Sequence, residues 1–364
     1  MRRRPLLLTL ILASALGLSG VGADGQDPTN LYKATVRKVT DGVYVVSRPD
    51  PLRYFVEGNA TIIVNDRDVV VVDAGGAPLA ARNIIAEIKK LTPKPVRYLI
   101  NTHDHVDHTL GNQEFAKTYP GVEIISHPHA RAALDTSGRG YVARFISIYD
   151  SAAIRYAGLR KEITEERAPG YEKVLEYWKQ YYARDIPTRY REYRAARITL
   201  PTATLEGKFV LHRGARTIEV MFLGHGDTPG DLVVYLPRDR VVCTGDMMTE
   251  PVPYGFTPEP MTWVATLSKV GELDFDHMIP GHGAVQSGKT YLRNLIAMET
   301  AVQEQVKSAV ARGLSLDSTR KVVDLSGMKG FFTRGEAVAE YRFQTWFVEP
   351  NVEVLYERFK ETPK

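Results

Sequence analysis

The 364-residue sequence has a single cysteine and, after its N-terminus, no long hydrophobic run. The lone Cys243 excludes an intrachain disulfide framework. The lack of further apolar runs excludes a polytopic membrane protein. Hydrophobic residues make up 44% and charged residues 25% of the chain, which excludes a mostly disordered protein. The sequence therefore predicts a globular protein of one large domain with additions or of two small ones.

The sequence also lacks a strong excess of either charge. Its formal net charge is +4, and Arg2, Arg3 and Arg4 supply three of those charges. Without these three residues the formal charge falls to +1. A nearly neutral chain gives no electrostatic reason to expect nucleic acid as a partner, so a small-molecule substrate is the expected partner.

The N-terminus has the three parts of a secretory signal. The basic residues 2–4 precede the apolar residues 5–18, and small residues follow at 21–23. We therefore predict a signal peptide over residues 1–23 and a periplasmic or secreted protein. The apolar part is shorter than the roughly 20 residues of a spanning helix, so no stable membrane span is expected after cleavage.

The rest of the chain divides into two strand-rich halves separated by a helical region. Short β-branched runs predict strands, and these are residues 43–46, 61–64, 69–72, 96–100, 209–212, 217–223, 232–236 and 241–243. Residues 77–91 have helical spacing instead. Two such halves with polar loops at strand ends predict a layered α/β sandwich. The predicted organisation is a flexible segment at 24–35, a core domain at 36–289 and a helical C-terminal extension at 290–364.

Residues 131–200 form a predicted helical insertion with a net charge of +5. Its predicted buried stripe comprises Val174, Leu175, Trp178, Tyr181 and Tyr182. Two interpretations remain open, namely a lid over the active site and a helical insertion with a solvated face. A lid of this charge would indicate an anionic substrate. Neutralising Arg189, Arg191 and Arg194 would test that hypothesis.

A cluster of metal-ligand residues directly follows the predicted strand 96–100. Residues 101–108 contain three histidines and one aspartate in the pattern H-x-H-x-D-H, namely His103, His105, Asp107 and His108. Imidazole nitrogens and carboxylate oxygens are the ligands that Zn²⁺ takes where thiolates are absent. Further candidates lie in loops or at strand ends downstream, and these are His225, Asp227, Asp246 and His282. The sequence therefore predicts a metal site.

Five motifs in this order resemble the metallo-β-lactamase superfamily, over roughly residues 36–285. They are the aspartate in residues 71–75, the H-x-H-x-D-H pattern, the Gly/Thr-rich loop 223–231, the Gly-Asp pair 245–246 and the Gly-His pair 281–282. The resemblance implies a four-layer αββα sandwich with a dinuclear metal site at the sheet edges. The helical insertion and the C-terminal extension would be additions to that fold.

The resemblance also implies the metal ligands. His103 and His105 would bind the first ion, Asp107, His108 and His282 the second, and Asp246 would bridge the two. Asp107 would be catalytic as well, by orienting a hydroxide, and Asp73 would brace the metal loop. The implied cofactors are two divalent metal ions, with Zn²⁺ expected and Fe or Mn compatible.

The first site departs from the family pattern. The family has a histidine directly before the threonine of the Gly/Thr-rich loop, whereas this sequence has Asp227 there and His225 two residues earlier. Either Asp227 binds as a carboxylate, or the loop shifts and His225 reaches the ion. Strand register favours Asp227, because a shift of two residues moves the Cα by about 6–7 Å. A carboxylate would make this site more favourable to Fe or Mn.

The expected function is an exported metal-dependent hydrolase. A metal-bound hydroxide would attack an ester, thioester, lactone, β-lactam or phosphoester. A bridging aspartate at residue 246 resembles the metal site of the family's hydrolases of thioesters, lactones and phosphoesters. The alternative is a non-catalytic or redox module of the same fold with a weakened first metal site. The sequence makes no prediction of the oligomeric state.

Overall fold

The computed structural model describes residues 31–33, 35–47, 57–257 and 259–361. The predicted signal peptide and most of the predicted flexible segment lie outside these residues. Within the described residues, no helix is both long and apolar enough to cross a membrane.

The first sheet contains strands from the first half of the chain and one short strand that follows the insertion. In spatial order they are β1 (Thr35–Thr40), β2 (Val43–Ser47), β3 (Ala60–Val64), β4 (Val69–Val72), β5 (Val96–Ile100), β6 (Glu123–Ser126) and β7 (Ala203–Thr204). Strands β1 to β4 are antiparallel, and β4 to β7 are parallel. All four valines of β4 are buried, as expected for a strand covered on both faces.

The second sheet contains the remaining described strands. They are β8 (Lys208–Arg213), β9 (Arg216–Phe222), β10 (Leu232–Leu236), β11 (Val241–Thr249), β12 (His277–His282) and β13 (Gln286–Ser287), and their spatial order is β13-β12-β11-β10-β9-β8. Neighbours are antiparallel except β11 and β12, which are parallel. Ile63 and Val72 of the first sheet share a buried cluster with Val220 and Val234 of the second. The two sheets therefore pack face to face.

Helices follow or separate these strands. They are α1 (Pro78–Leu91), α2 (Val106–Thr109), α3 (Asn112–Thr118), α4 (Pro128–Thr136), α5 (Gly138–Asp150), α6 (Ala152–Glu166), α7 (Tyr171–Gln180), α8 (Ile186–Ala195), α9 (Pro260–Glu272), α10 (Thr290–Ala311), α11 (Leu316–Val322), α12 (Ser326–Thr333), α13 (Ala337–Arg342) and α14 (Glu349–Glu361). Two π-helical turns, Tyr181–Asp185 and Phe343–Val348, lie between α7 and α8 and between α13 and α14.

Helices cover the outer faces of both sheets. Ile84 and Ile88 of α1 pack in one buried cluster with Val71 and Leu99 of the first sheet. On the other side, α9 and α10 pack in a cluster with the second sheet through residues that include Trp263. The layers are therefore helix, sheet, sheet and helix, which confirms the predicted four-layer αββα sandwich.

Both predicted helical additions form helices. Residues 131–200 contain most of α4 and all of α5 to α8, and α10 begins at Thr290. Val174, Trp178 and Tyr181 of the predicted stripe are buried. They pack in one cluster with Val106 of α2. The insertion therefore packs directly on α2, the short helix that begins after His105.

Candidate metal centre

The H-x-H-x-D-H pattern lies at the end of a buried strand. Strand β5 ends at Ile100, and α2 begins after His105 and carries Asp107 and His108. The backbone N–H of Ala74, in the loop after β4, donates to the carbonyl oxygen of His108 at 2.8 Å. Since β4 and β5 are parallel neighbours, their carboxyl ends meet at the same edge of the sheet. This edge holds the candidate ligands.

Asp73 orients two of the histidines. Its Oδ1 accepts a hydrogen bond from the backbone N–H of Thr102 at 2.8 Å, and its Oδ2 lies 2.8 Å from His108 Nδ1. The Thr102 hydroxyl donates to Asp73 Oδ2 at 2.9 Å and lies 2.9 Å from His103 Nδ1. These contacts hold the Nδ1 side of both imidazoles and leave each Nε2 facing the site. The predicted bracing role of Asp73 is confirmed.

The first donor group consists of His103, His105, Asp227 and Asp246. One ligand atom from each lies within 4.8 Å of all the others. His105 Nδ1 is 3.1 Å from Asp227 Oδ2, and His103 Nε2 is 3.7 Å from Asp246 Oδ2. His225 lies outside this group, and its ring centroid is 6.2 Å from that of Phe222. Of the two alternatives for the departing loop, the structure brings Asp227 to the other ligands.

The loop that carries Asp227 is fixed by hydrogen bonds within it. The carboxylate of Asp231 accepts from the backbone N–H of Thr228 at 2.6 Å and from its hydroxyl at 2.7 Å. The hydroxyl of Thr257 donates to the carbonyl oxygen of Gly226 at 2.6 Å. These bonds flank Asp227 on both sides, so its position does not depend on its own side chain.

The second donor group consists of Asp107, His108, Asp246 and His282, whose ligand atoms also lie within 4.8 Å of one another. His282 Nε2 is 3.1 Å from Asp107 Oδ2 and 3.2 Å from Asp246 Oδ2. His108 Nε2 is 3.2 Å from Asp246 Oδ1. Asp246 thus belongs to both groups, as a bridging ligand would.

The donor atoms themselves fit divalent cations. His103 Nε2, Asp227 Oδ2 and Asp246 Oδ1 are buried, and none of them makes a well-aligned hydrogen bond with a described residue, although imidazole nitrogens lie 3.1 and 3.2 Å from the two carboxylate oxygens. A buried polar atom without a partner costs free energy, and a shared cation would satisfy all three. Each group offers two imidazoles and two carboxylates, a set that suits Zn²⁺ and also Fe or Mn. The residues present therefore fit two metal ions.

Burial and neighbouring charges both shift the pKa values of the site residues. Burial lowers the pKa of His103 well below its usual value. Burial alone would lower the pKa of His108 as well, but the carboxylates of Asp246, Asp73 and Asp107 outweigh it and raise that pKa well above the usual value. Burial raises the pKa of Asp227 to about 7. A cation beside this buried carboxylate would favour its ionised form.

A cavity of about 560 Å³ opens over both groups. Helices of the insertion supply Tyr141, Arg144, Phe145, Ile148, Trp178 and Tyr193 to its wall, and the C-terminal extension supplies Tyr341, Thr345 and Trp346. Tyr254 and Phe256, from the loop after β11, complete the aromatic lining. The insertion thus forms a wall of the cavity, as the lid interpretation expected, while much of its outer face is solvated.

The arginines singled out from the sequence lie elsewhere. Arg189 is fully buried beside Glu57, Arg191 lies near Thr188, and the Arg194 guanidinium lies over the Tyr190 ring. None of the three is among the described residues that line the cavity, whereas Arg144 is. The hypothesis of an anionic substrate therefore has to be tested at Arg144. Sequence reasoning missed this residue because α4 to α6 and their connections contain five other arginines, and nothing in the sequence distinguishes Arg144 from them.

The fold and this arrangement of ligands define a known class of protein. The model of the metallo-β-lactamase superfamily matches residues 53–282, which is more than half of the chain. The chain belongs to this superfamily, and the resemblance inferred from the five motifs is confirmed.

Two curated relatives are hydrolases. The chain is 23% identical over 271 residues to a linear primary-alkylsulfatase of Pseudomonas sp. (strain ATCC 19151), covering 71% of this chain and 48% of the relative. It is 33% identical over 115 residues to a type 2 metallo-β-lactamase of Elizabethkingia meningoseptica, covering 30% of this chain and 44% of the relative. The chain thus spans about half the length of the curated relatives it matches.

Solved structures share the fold at low sequence identity. The sec-alkylsulfatase Pisa1 from Pseudomonas sp. superposes with a TM-score of 0.60 at 17% identity, covering 89% of this chain and 50% of Pisa1. A metallo-β-lactamase from Pontibacter korlensis gives a TM-score of 0.51 at 16% identity, covering 74% of this chain and 99% of its own. At these identities the likeness establishes the fold alone.

Proposed function

We propose that this protein is an exported hydrolase that holds two divalent metal ions, Zn²⁺ in the first place, and cleaves sulfate esters of apolar alcohols. The main support for the proposal is the position of Asp246. This residue belongs to both donor groups, and it lines a cavity with aromatic walls. The alkylsulfatase relative, which covers 71% of this chain, supports the choice of a sulfate ester. The basic and apolar residues 2–18 support export.

Different residues would bind the ions and orient the attacking water. His103, His105 and Asp227 would hold one ion, Asp107, His108 and His282 the other, and Asp246 both. Bound ions would lower the pKa of water and stabilise negative charge on the ester oxygens. The Asp107 side chain is 21% exposed, the most accessible carboxylate of the second group, and lines the cavity. Its carboxylate can accept a hydrogen bond from the attacking water and so orient it.

The cavity wall matches an amphiphilic substrate. Phe145, Trp178 and Trp346 provide apolar surface for the alcohol part of the ester. Arg144 is the arginine of the described cavity lining, and its planar guanidinium can pair with two oxygens of a sulfate group. Hydrolysis would add one water molecule and release the alcohol and hydrogensulfate.

A substrate panel tests the proposal. The mature chain loaded with Zn²⁺ is assayed on dodecyl sulfate, dodecyl phosphate, a dodecyl carboxylic ester and a chromogenic cephalosporin. We expect turnover of the sulfate ester, loss of that turnover with a chelator and recovery with Zn²⁺. Turnover of the cephalosporin or the phosphate without turnover of any sulfate ester would contradict the proposed substrate class.

Arg144→Gln sharpens this test. Because the variant loses the cation at the cavity wall, we expect a higher KM for the sulfate ester and an unchanged KM for any neutral ester that is turned over. Arg160→Gln, on α6 and outside the residues that line the cavity, is the matched control. An Arg144→Gln variant with unchanged KM for the sulfate ester would contradict the role of this arginine in binding the anionic group.

A further inference from the structure

Residues 57–59, named here the 57–59 segment, lie immediately before β3 and contact the framework of the second donor group. Gly58 packs against the His108 ring, since a Cβ placed on Gly58 would lie 2.5 Å from the ring atom Cε1. No side chain fits between them. The backbone of Gly58 therefore closes the face of the His108 ring and limits its rotation.

Asn59 fixes the loop that carries His282. Its backbone N–H donates to the carbonyl oxygen of Gly281 at 2.6 Å. Its side-chain Nδ2 donates to the carbonyl oxygens of Pro280 and Gly283, each at 2.9 Å. Three hydrogen bonds from one buried residue thus hold the backbone on both sides of His282.

Glu57 fixes the loop behind Asp107. Its Oε2 accepts a hydrogen bond from the backbone N–H of Gly76 at 2.7 Å. Gly76 packs directly on Asp107, since a Cβ on Gly76 would lie 2.6 Å from Asp107 Cα. The Glu57 carboxylate therefore holds the backbone against which Asp107 rests.

Arg189 of the helical insertion holds Glu57 in turn. Its side chain is fully buried, and its Nη1 lies 3.5 Å from Glu57 Oε1. Its guanidinium also lies over the Tyr32 ring, 5.7 Å from the centroid. A buried ion pair is seldom a source of net stability, because desolvation of both charges offsets their attraction. Arg189 contacts Glu57, which in turn holds the backbone of Gly76, and this arrangement indicates a positioning role for Arg189.

We propose that the 57–59 segment, held by Arg189, positions the second metal site together with Asp73. It touches none of the reacting atoms and acts by fixing Asp107, His108 and His282. The helical insertion then has a second role besides forming the cavity wall, because Arg189 couples it to metal affinity. This proposal rests on the two-ion site of the proposed function.

A pair of double variants isolates the hydrogen bond to Gly76. Glu57→Gln with Arg189→Met removes both buried charges but keeps a side-chain oxygen that can accept from Gly76. Glu57→Ala with Arg189→Met removes that acceptor as well. Zn²⁺ affinity of both ions is measured by competition with a chromophoric chelator, and Co²⁺ absorption reports the geometry of each site. Asp239→Asn is the control, because it breaks the ion pair with Arg216 at the opposite end of β9 from the Asp227 loop.

We expect the variant without the acceptor to bind the second ion roughly 10- to 100-fold more weakly than the variant with glutamine, with the first ion unchanged. Equal affinity in the two variants, or equal weakening of both ions, would overturn the positioning role. A wild-type chain that binds fewer than two ions would instead overturn the proposed function, and this proposal with it.

Asn59→Ala provides a second readout that leaves the ion pair intact. It removes the hydrogen bonds to Pro280 and Gly283 while the backbone bond to Gly281 remains. We expect selective weakening of the second ion and a changed Co²⁺ spectrum of that site. Unchanged affinity and spectrum in a folded Asn59→Ala protein would overturn the part of the proposal that concerns His282.

Discussion

The Nδ1 of His105 lies 3.1 Å from the Oδ2 of Asp227. Two ligand atoms that each lie 2.0–2.2 Å from a tetrahedral ion are roughly 3.3–3.6 Å apart, so this pair is close to the spacing that a shared cation requires. This spacing concerns residue 227, where the sequence has an aspartate in place of the family's histidine. A carboxylate there completes a group with His103 and Asp246, and His225 is not needed for it.

Substitution at residues 227 and 225 tests this arrangement. Asp227→Asn removes the charged ligand oxygen, so we expect the affinity for the first ion to fall more than about ten-fold, equivalent to 1.4 kcal/mol or more. His225→Asn is the matched control, and we expect it to change the affinity little. Chelator competition measures both. The reverse pattern, with loss in His225→Asn alone, would mean that His225 is the ligand.

A second prediction concerns substrate binding by the aromatic wall that the C-terminal extension contributes to the cavity. Trp346 lines the cavity, and the Arg342 guanidinium lies 3.9 Å from its ring centroid. Trp346→Ala removes apolar contact worth about 1.5–3 kcal/mol, so we expect KM for dodecyl sulfate to rise by roughly ten-fold or more. The metal content should stay unchanged.

Phe331→Ala is the control for that variant, because Phe331 belongs to the same extension but is 42% exposed and outside the described cavity lining. It should leave KM unchanged. A Trp346→Ala enzyme with wild-type KM for long-chain and short-chain sulfates would show that substrates do not contact this wall.

A buried acid in the C-terminal extension makes stability depend on pH. Glu299 of α10 is fully buried, and it accepts hydrogen bonds from Gln303 at 3.2 Å and from Asn351 of α14. Burial raises its pKa to about 7. Because the folded chain binds this proton more tightly than the unfolded chain, the contribution to stability is complete below pH 4.5 and is lost as the pH rises through about 7.

Glu299→Gln removes this titration. We expect the variant to gain roughly 3 kcal/mol of unfolding free energy over the wild type at pH 8, and the gain to shrink towards pH 5. Urea unfolding at several pH values measures the difference. A difference that does not change with pH would indicate that Glu299 stays ionised in the folded protein.

Much of the site follows from residue type and spacing. The β-branched runs predicted the buried strands because such side chains suit a sheet covered on both faces. The H-x-H-x-D-H pattern predicted ligands because its side chains follow one buried strand, and Asp246 and His282 lie on neighbouring strands of the second sheet. The structure brings all of these residues to one edge of the sandwich.

The walls and supports of the site did not follow from sequence. Trp346 is more than 60 residues from His282, and an aromatic residue at helical spacing is as compatible with a core as with a cavity wall. The contact between Glu57 and Arg189 joins residues 132 positions apart, and neither residue belongs to a recognisable motif. The strand that carries Asp246 also continues to Thr249, beyond the predicted end at Cys243, with an irregular register at Gly245. Such features depend on tertiary packing, which local patterns do not encode.

The proposed function requires that the two donor groups joined by Asp246 hold two ions. Elemental mass spectrometry of the mature wild-type chain, purified without chelator, tests it most directly. We expect about two divalent ions per chain, and about one in His282→Ala, since that variant loses a ligand of the second group alone. One ion or none in the wild type, with the chain folded, would contradict it.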